Sequence, residues 1–208
     1  MSFRNHDPKY LAFRARMNGH ALDSSGYGND GTWTGTEQYS TFFKGLKSCA
    51  DFDQASDVDF GDEIVGDGAA TVTAWVNLDD FGENGLGRIC DNGNFDMWVN
   101  DTNDTLDFSS DGGGTTLQSA NDAIKTVRWI FVAVSRDADG TARIYVNSVE
   151  SANGASGTPA AGTGNLTIGD DVASANAFDG KVYDVRVYSV ALSRDEIAAI
   201  QHEPYGVL

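Results

Sequence analysis

Nine Asn-Gly or Asp-Gly dipeptides, starting at Asn18, Asp30, Asp67, Asn84, Asn92, Asp111, Asp139, Asn153 and Asp179, cut this chain into short stretches. Such pairs supply the positive φ angles that tight type I′ hairpin turns need. Between them, apolar residues recur at every second position. "TVTAWVNL" (71–78) sets Val72, Ala74, Val76 and Leu78 on one face and Thr71, Thr73, Trp75 and Asn77 on the other. "DGTARIYVNS" (139–148) turns Ala142, Ile144 and Val146 inward and Arg143, Tyr145 and Asn147 outward. "RWIFVAVSRD" (128–137) is apolar on both faces, as a central sandwich strand is. "FDMWVN", "TLDFSS", "NLTIGD" and "KVYDVRVYS" complete a meander of short strands.

The predicted fold is all-β, an antiparallel two-sheet jelly-roll sandwich with one short C-terminal helix. No break in composition divides the chain. A single domain is expected over residues 11–200, between an N-terminal arm (1–10) and a C-terminal tail (201–208). The segment "SANGASGTPAAGTG" (151–164) is the expected flexible loop. The helix is expected from Arg194 to Ile200. Ser193 is its N-cap and Glu196 completes a capping box, with Asp195 and Glu196 at the positive end of its dipole. Ile197 and Ile200 give it one apolar edge.

Apolar residues make up 40% of the 208, enough for a true core. The 31 acidic and 14 basic side chains leave a formal charge of −17. A surface this acidic repels phosphate backbones and anionic lipid, so neither nucleic acid nor a membrane surface is an expected partner. The N-terminus has no 7–15-residue apolar run, so synthesis in a cytoplasm without a secretory signal is expected. Cys49 and Cys90 are expected as two reduced, buried thiols, with one disulfide as the alternative.

The ending "FDGKVYDVRVYSVALSRDEIAAI" (178–200) resembles the C-terminal signature of laminin-G-like domains of the concanavalin A-like lectin/glucanase superfamily. Four further stretches resemble that family in the same order: "LDSSGYGNDGT" (22–32), "TVTAWVNL", "RWIFVAVSRDADGTARIYVNS" and "LTIGD". Residues 79–125 match no pattern of the family. The resemblance implies a binding module. It also implies a structural Ca²⁺ joining the opening loop to the last strand, with Asp23, Asn29, Asp30 and Asp184 as the matching ligands. The bland alternative is that Asp23 and Asn29 form Asx-turns while Asp184 pairs with an arginine. Trp33, Trp98 and Tyr145 are the candidate sugar-stacking residues; against that, Trp75, Trp98 and Trp129 are equally suited to a core.

Glucanases of the superfamily use carboxylates in a Glu-x-Asp-x-x-Glu pattern. Here the six Glu are residues 37, 63, 83, 150, 196 and 203, and none is followed two positions later by Asp. His6, His20 and His202 are scattered, so no enzyme is expected. A lone, unfused domain made in a host cytoplasm favours a virion component, in the first place a capsid-surface decoration protein of a tailed virus. Its partners would be the major capsid protein or tail proteins, and its assembly a homotrimer. The N-terminal stretch "MSFRNHDPKYLAFRAR" (1–16), whose Arg4, Lys9, Arg14 and Arg16 face only Asp7, would dock on the capsid. The alternative is a lectin-like adhesion module that binds a host-surface glycan.

Overall fold

The computed structural model describes residues 10–42 and 47–203. Residues 1–9 of the arm and 204–208 of the tail lie outside the described residues. In chain order the strands are β1 (Leu11–Ala15), β2 (Thr32–Thr34), β3 (Tyr39–Phe42), β4 (Lys47–Asp53) and β5 (Asp57–Asp59). There follow β6 (Ala70–Leu78), β7 (Arg88–Asp91), β8 (Asp96–Asn100), β9 (Thr105–Ser109) and β10 (Leu117–Gln118). The last are β11 (Ile130–Arg136), β12 (Thr141–Val146), β13 (Val149–Ala155), β14 (Thr167–Ile168) and β15 (Asp179–Tyr188), then helix α1 (Arg194–His202).

These strands form two antiparallel sheets. One runs β13-β12-β11-β6-β15-β4-β3, with β1 added beside β15. The other runs β10-β9-β8-β7-β14-β5-β2. The main core fills the space between them, where the inward-facing residues of β6 (Val72, Ala74, Val76, Leu78) meet Met97, Val99, Leu106, Phe108 and Ile168. The architecture is the sandwich that the alternating runs predict, though its strand order is more interleaved than a meander.

A second apolar layer explains the helix. On the far side of the eight-stranded sheet, Trp75, Phe131, Tyr145, Tyr183 and Tyr188 form a separate cluster closed by Ile197 and Ile200 of α1. The outward polar residues there tie down the approach to the helix. Thr71 Oγ1 donates to the Val190 carbonyl (2.8 Å) and accepts the Leu192 N–H (2.8 Å), and Ser135 Oγ donates to the Leu192 carbonyl (2.9 Å). Glu196 takes both the N–H (2.8 Å) and the hydroxyl (2.7 Å) of Ser193, closing the helix start. The helix runs two residues beyond Ile200, into the segment expected to be tail.

Three local expectations change. Asn153-Gly154 and Asp179-Gly180 lie inside β13 and β15 rather than in turns. The β12–β13 hairpin turns instead on Asn147 and Ser148, both with positive φ (51° and 59°). The expected loop at 151–164 therefore begins as strand, because backbone pairing with β12 overrides the weak strand preference of its small residues. Both cysteines are free and buried, and burial pushes the Cys49 thiol up to about 12.

Strand β15 holds a bulge that redirects half of the sheet. Tyr183 stands opposite Trp75, but Arg186 stands opposite Thr73, so one extra residue is inserted on β15. Asp184 occupies the insertion with φ 53°. Before it, Val182 faces the inter-sheet core and Tyr183 the helix layer; after it, Val185 and Val187 face the core and Tyr188 the helix layer. The neighbour of β15 changes there as well, from β4 (residues 179–182) to β1 (residues 185–188).

The side chains at the bulge form a buried ion cluster. Asp184 Oδ1 accepts from Arg14 Nε (2.7 Å) and Oδ2 accepts from Arg186 Nη2 (2.6 Å), while Arg186 Nη1 meets Glu203 Oε2 at 2.5 Å. Burial alone would raise the Asp184 pKa, but the Arg186 charge and the hydrogen bonds from Arg14 and Arg186 outweigh it and hold the carboxyl below its ordinary value. Its folded pKa is depressed, so its stabilisation is present above the unfolded value near 3.8 and is lost as pH falls through the folded pKa. Asp184→Ala, which leaves two guanidinium groups facing each other, is expected to cost about 3–5 kcal/mol. Urea unfolding at neutral pH checks this; a loss below about 1 kcal/mol would show that the cluster is not what holds the bulge.

Candidate functional site

Of the residues expected to hold calcium, Asp23, Asn29 and Asp30 meet in one hydrogen-bonded loop, while Asp184 is bound by the guanidinium groups of Arg14 and Arg186. Asp23 is the scaffold of its own loop: Oδ1 accepts from the Arg14 N–H (3.2 Å) and the Ser25 N–H (2.8 Å), and Oδ2 from the Ser25 hydroxyl (2.8 Å) and the Asn29 N–H (3.2 Å). Asp30 Oδ1 accepts from the Asp23 N–H at 2.9 Å. Asp184 is committed to Arg14 and Arg186. Among the described residues, no group of three or more His, Cys, Asp or Glu side chains is placed to hold a metal ion.

Of the three candidate stacking residues, Trp98 and Tyr145 are buried and Trp33 is half-buried. Trp33 stacks on Phe52 (5.2 Å between ring centroids) and donates its Nε1–H to the Tyr39 hydroxyl (3.0 Å). Tyr145 is 2% exposed because α1 covers the outward face of β12. Trp98 is 7% exposed, with the Arg88 guanidinium 4.5 Å above its ring. The alternation that points Tyr145 outward is correct; what lies over it was not in the alternation.

Trp98 nonetheless belongs to a chemically loaded surface. On the seven-stranded sheet, Met97, Val99, Leu106 and Phe108 face the core. The alternate residues Asp96, Trp98, Asn100, Thr105 and Asp107 therefore share the opposite face. Asp96 lies opposite Asp91 of β7, and both are buried. Standing across from each other, the two acidic side chains shift each other's titration. Asp91 also accepts from Arg88 Nε (3.2 Å) and the Gly93 N–H (2.5 Å), whereas Asp96 Oδ1 is buried with no partner. Burial first, and the Asp91 charge second, push the Asp96 carboxyl up to about 7. Asp107 is held instead by neutral donors: Thr105 Oγ1 (2.6 Å), Asn100 Nδ2 (2.9 Å) and Gln118 Nε2 (2.8 Å). These residues fall within 79–125, where no pattern was legible. The usable signal was the alternation of "FDMWVN" and "TLDFSS", which lines up Asp96 and Trp98 with Asp107.

A third feature lies at the opening loop. Tyr27 is 69% exposed at the rim of an open depression of about 490 Å³ lined by Ala12, Asn29, Asp62, Ile64 and Ser189. Sequence reasoning passed over Tyr27 because a single tyrosine between glycines carries no periodic signal.

A family model for the concanavalin A-like lectin/glucanase superfamily matches residues 52–198, well over half of the chain. The chain belongs to the concanavalin A-like lectin/glucanase superfamily. Among solved structures with this superfamily fold, domain 4 of AbnA, a GH43 extracellular arabinanase from Geobacillus stearothermophilus solved with arabinotriose, aligns with a TM-score of 0.72. It is 21% identical and the alignment covers 92% of this chain and 98% of that domain. The binding domain of botulinum neurotoxin serotype C1 aligns with a TM-score of 0.71 at 14% identity, over 93% of this chain and 52% of its own. The binding domain of Paraclostridial Mosquitocidal Protein 1 does so with a TM-score of 0.69 at 11% identity, over 96% and 53%. The chain thus spans about half the length of those toxin binding domains and nearly all of the arabinanase domain. A search of curated protein sequences gives no match.

The acid pair gives this superfamily member a definite pH response. The folded Asp96 pKa lies above its unfolded value of 3.8, so its contribution to stability is greatest below 3.8 and declines as pH rises towards about 7. Asp96→Asn keeps the shape and removes the titrating carboxyl. It is expected to gain on the order of 2 kcal/mol at pH 8 relative to the unsubstituted chain and to flatten the pH 4–7 slope. Urea unfolding across that range is the check; an unchanged slope would place the titrating group elsewhere.

Proposed function

We propose that this chain is a non-catalytic carbohydrate-binding module. The observation that carries the reading is the burial of three acidic side chains of this sheet face, Asp91, Asp96 and Asp107. Retaining glycoside hydrolysis needs two carboxyls about 5 Å apart, and inversion needs about 6.5–9.5 Å with room for a water. Asp91 and Asp96 are buried across from each other on neighbouring strands, where a glycosidic bond has no access to them. Asp107 is buried as well and is immobilised by three neutral donors.

The structural neighbours support the ligand class. One was solved with arabinotriose, and cell entry of another, botulinum neurotoxin type C, depends on interaction with two ganglioside molecules. Binding domains of an extracellular enzyme and of toxins favour the glycan-binding reading over the capsid-surface role that sequence context favoured. Fold and ligand class remain separate inferences, because one fold hosts many functions.

Affinity electrophoresis through gels cast with neutral polysaccharides, run beside a reducing-end assay, tests the proposal. The chain is expected to be retarded by at least one polysaccharide and to release no reducing ends. Steady release of reducing ends would make it an enzyme, and uniform migration through every gel would remove the carbohydrate reading.

A further inference from the structure

The opening-loop depression has the features of a binding site, and its two walls are each held by a different set of hydrogen bonds. On one wall, Asp23 accepts four hydrogen bonds that fix the loop between Arg14 and Asn29. Gly26 (φ 99°) and Gly28 (φ 84°) flank Tyr27. A Cβ added at either glycine would meet nothing within 4 Å, so these glycines serve the backbone conformation and not the packing. Their effect is to carry the Tyr27 ring out to the rim.

The other wall is the segment 61–68. The Asn92 side-chain amide donates to the carbonyls of both Glu63 (3.0 Å) and Val65 (2.7 Å), bracketing Ile64. The Val65 N–H bonds back to the Glu63 carbonyl at 2.5 Å, so Ile64 sits at the centre of a three-residue turn with φ 55°. A β-branched residue in that conformation is strained, and such strain persists only where surrounding contacts impose it. Arg136, buried beneath, donates to the carbonyls of Gly66 (2.6 Å) and Gly68 and secures the same segment. The result presents Ile64 and Asp62 to the depression. Asp62 spends one carboxylate oxygen on the Glu63 N–H (2.7 Å) and leaves the other open.

We propose that this depression is a subsite for a neutral oligosaccharide, with Tyr27 stacking on a sugar ring and Asn29, Asp62 and Ser189 receiving its hydroxyls. The proposal rests on the carbohydrate-binding reading above. An exposed aromatic ring beside hydroxyl, amide and carboxylate groups is what the apolar face and polar edge of a sugar require. Two walls fixed in advance lower the ordering cost of binding. The charge excludes acidic sugars. Asp62 lines the depression, and the chain carries −17 overall, so sialylated or sulfated glycans are repelled.

An array of neutral and sialylated oligosaccharides, probed with the full chain, Tyr27→Ala and Tyr27→Phe, tests this. Tyr27 is exposed, so both variants are expected to melt with the parent. The parent and Tyr27→Phe should bind the same neutral glycans, and Tyr27→Ala should lose about tenfold or more in apparent affinity. Retention of binding by Tyr27→Ala within about twofold overturns the subsite while leaving the module's function intact. Preference for sialylated over neutral glycans overturns the ligand class. No glycan bound by the parent overturns subsite and function together.

Discussion

The sandwich depends on one buried carboxylate. Asp184 sits in a left-handed conformation at an inserted residue of β15, and two arginines converge on it. A strand has a side-chain period of two, so a single insertion exchanges its faces. That exchange lets β15 seal the inter-sheet core with Val182 before the bulge and with Val185 and Val187 after it. It also turns Tyr188 towards the layer under α1 and opens the place where β1 replaces β4. Arg14 comes from β1 and Glu203 from just beyond α1, so one ion cluster joins the first strand, the last strand and the end of the helix. Removing Asp184 would leave the buried Arg186 guanidinium without its closest counter-charge on the strand.

The chain stabilises its buried aspartates in three distinct ways. Asp184 stays ionised between guanidinium groups. Asp107 is satisfied by a hydroxyl and two amides. Asp91 and Asp96 stand across from each other, and burial together with the Asp91 charge holds the Asp96 carboxyl's pKa up. The first gains stability as pH rises through the acid range and the third loses it, so the two oppose each other. The Trp98 ring, on the same face as Asp96 and Asp107, lies beneath the Arg88 guanidinium and is buried. The Tyr27 ring at the rim is exposed.

At the rim the same physical economy serves another end. Asp23 and Asn92 use their hydrogen bonds to fix backbone, not to meet a ligand, and the exposed groups they position are free. Asp23, Asn29 and Asp30 are the opening-loop residues that the family resemblance offers as calcium ligands. Their actual hydrogen bonds make them the frame of a loop that displays Tyr27.

The sequence by itself determined the strand-rich sandwich, the inward faces of β6 and β12, and the capped helix with its apolar edge. These follow from local periodicity and local hydrogen bonds, such as the Ser193–Glu196 pair three residues apart. It also held the family signature around β15. Only the tertiary structure decided what covers each outward face. The helix over Tyr145 and the arginine over Trp98 come from segments 49 or more residues away and from a neighbouring strand, respectively. The partners of Asp184 were equally hidden, since Arg14 is 170 residues distant and the bulge that brings them together leaves no mark on the alternation. Periodicity says which way a side chain points; only packing of distant segments says what it meets.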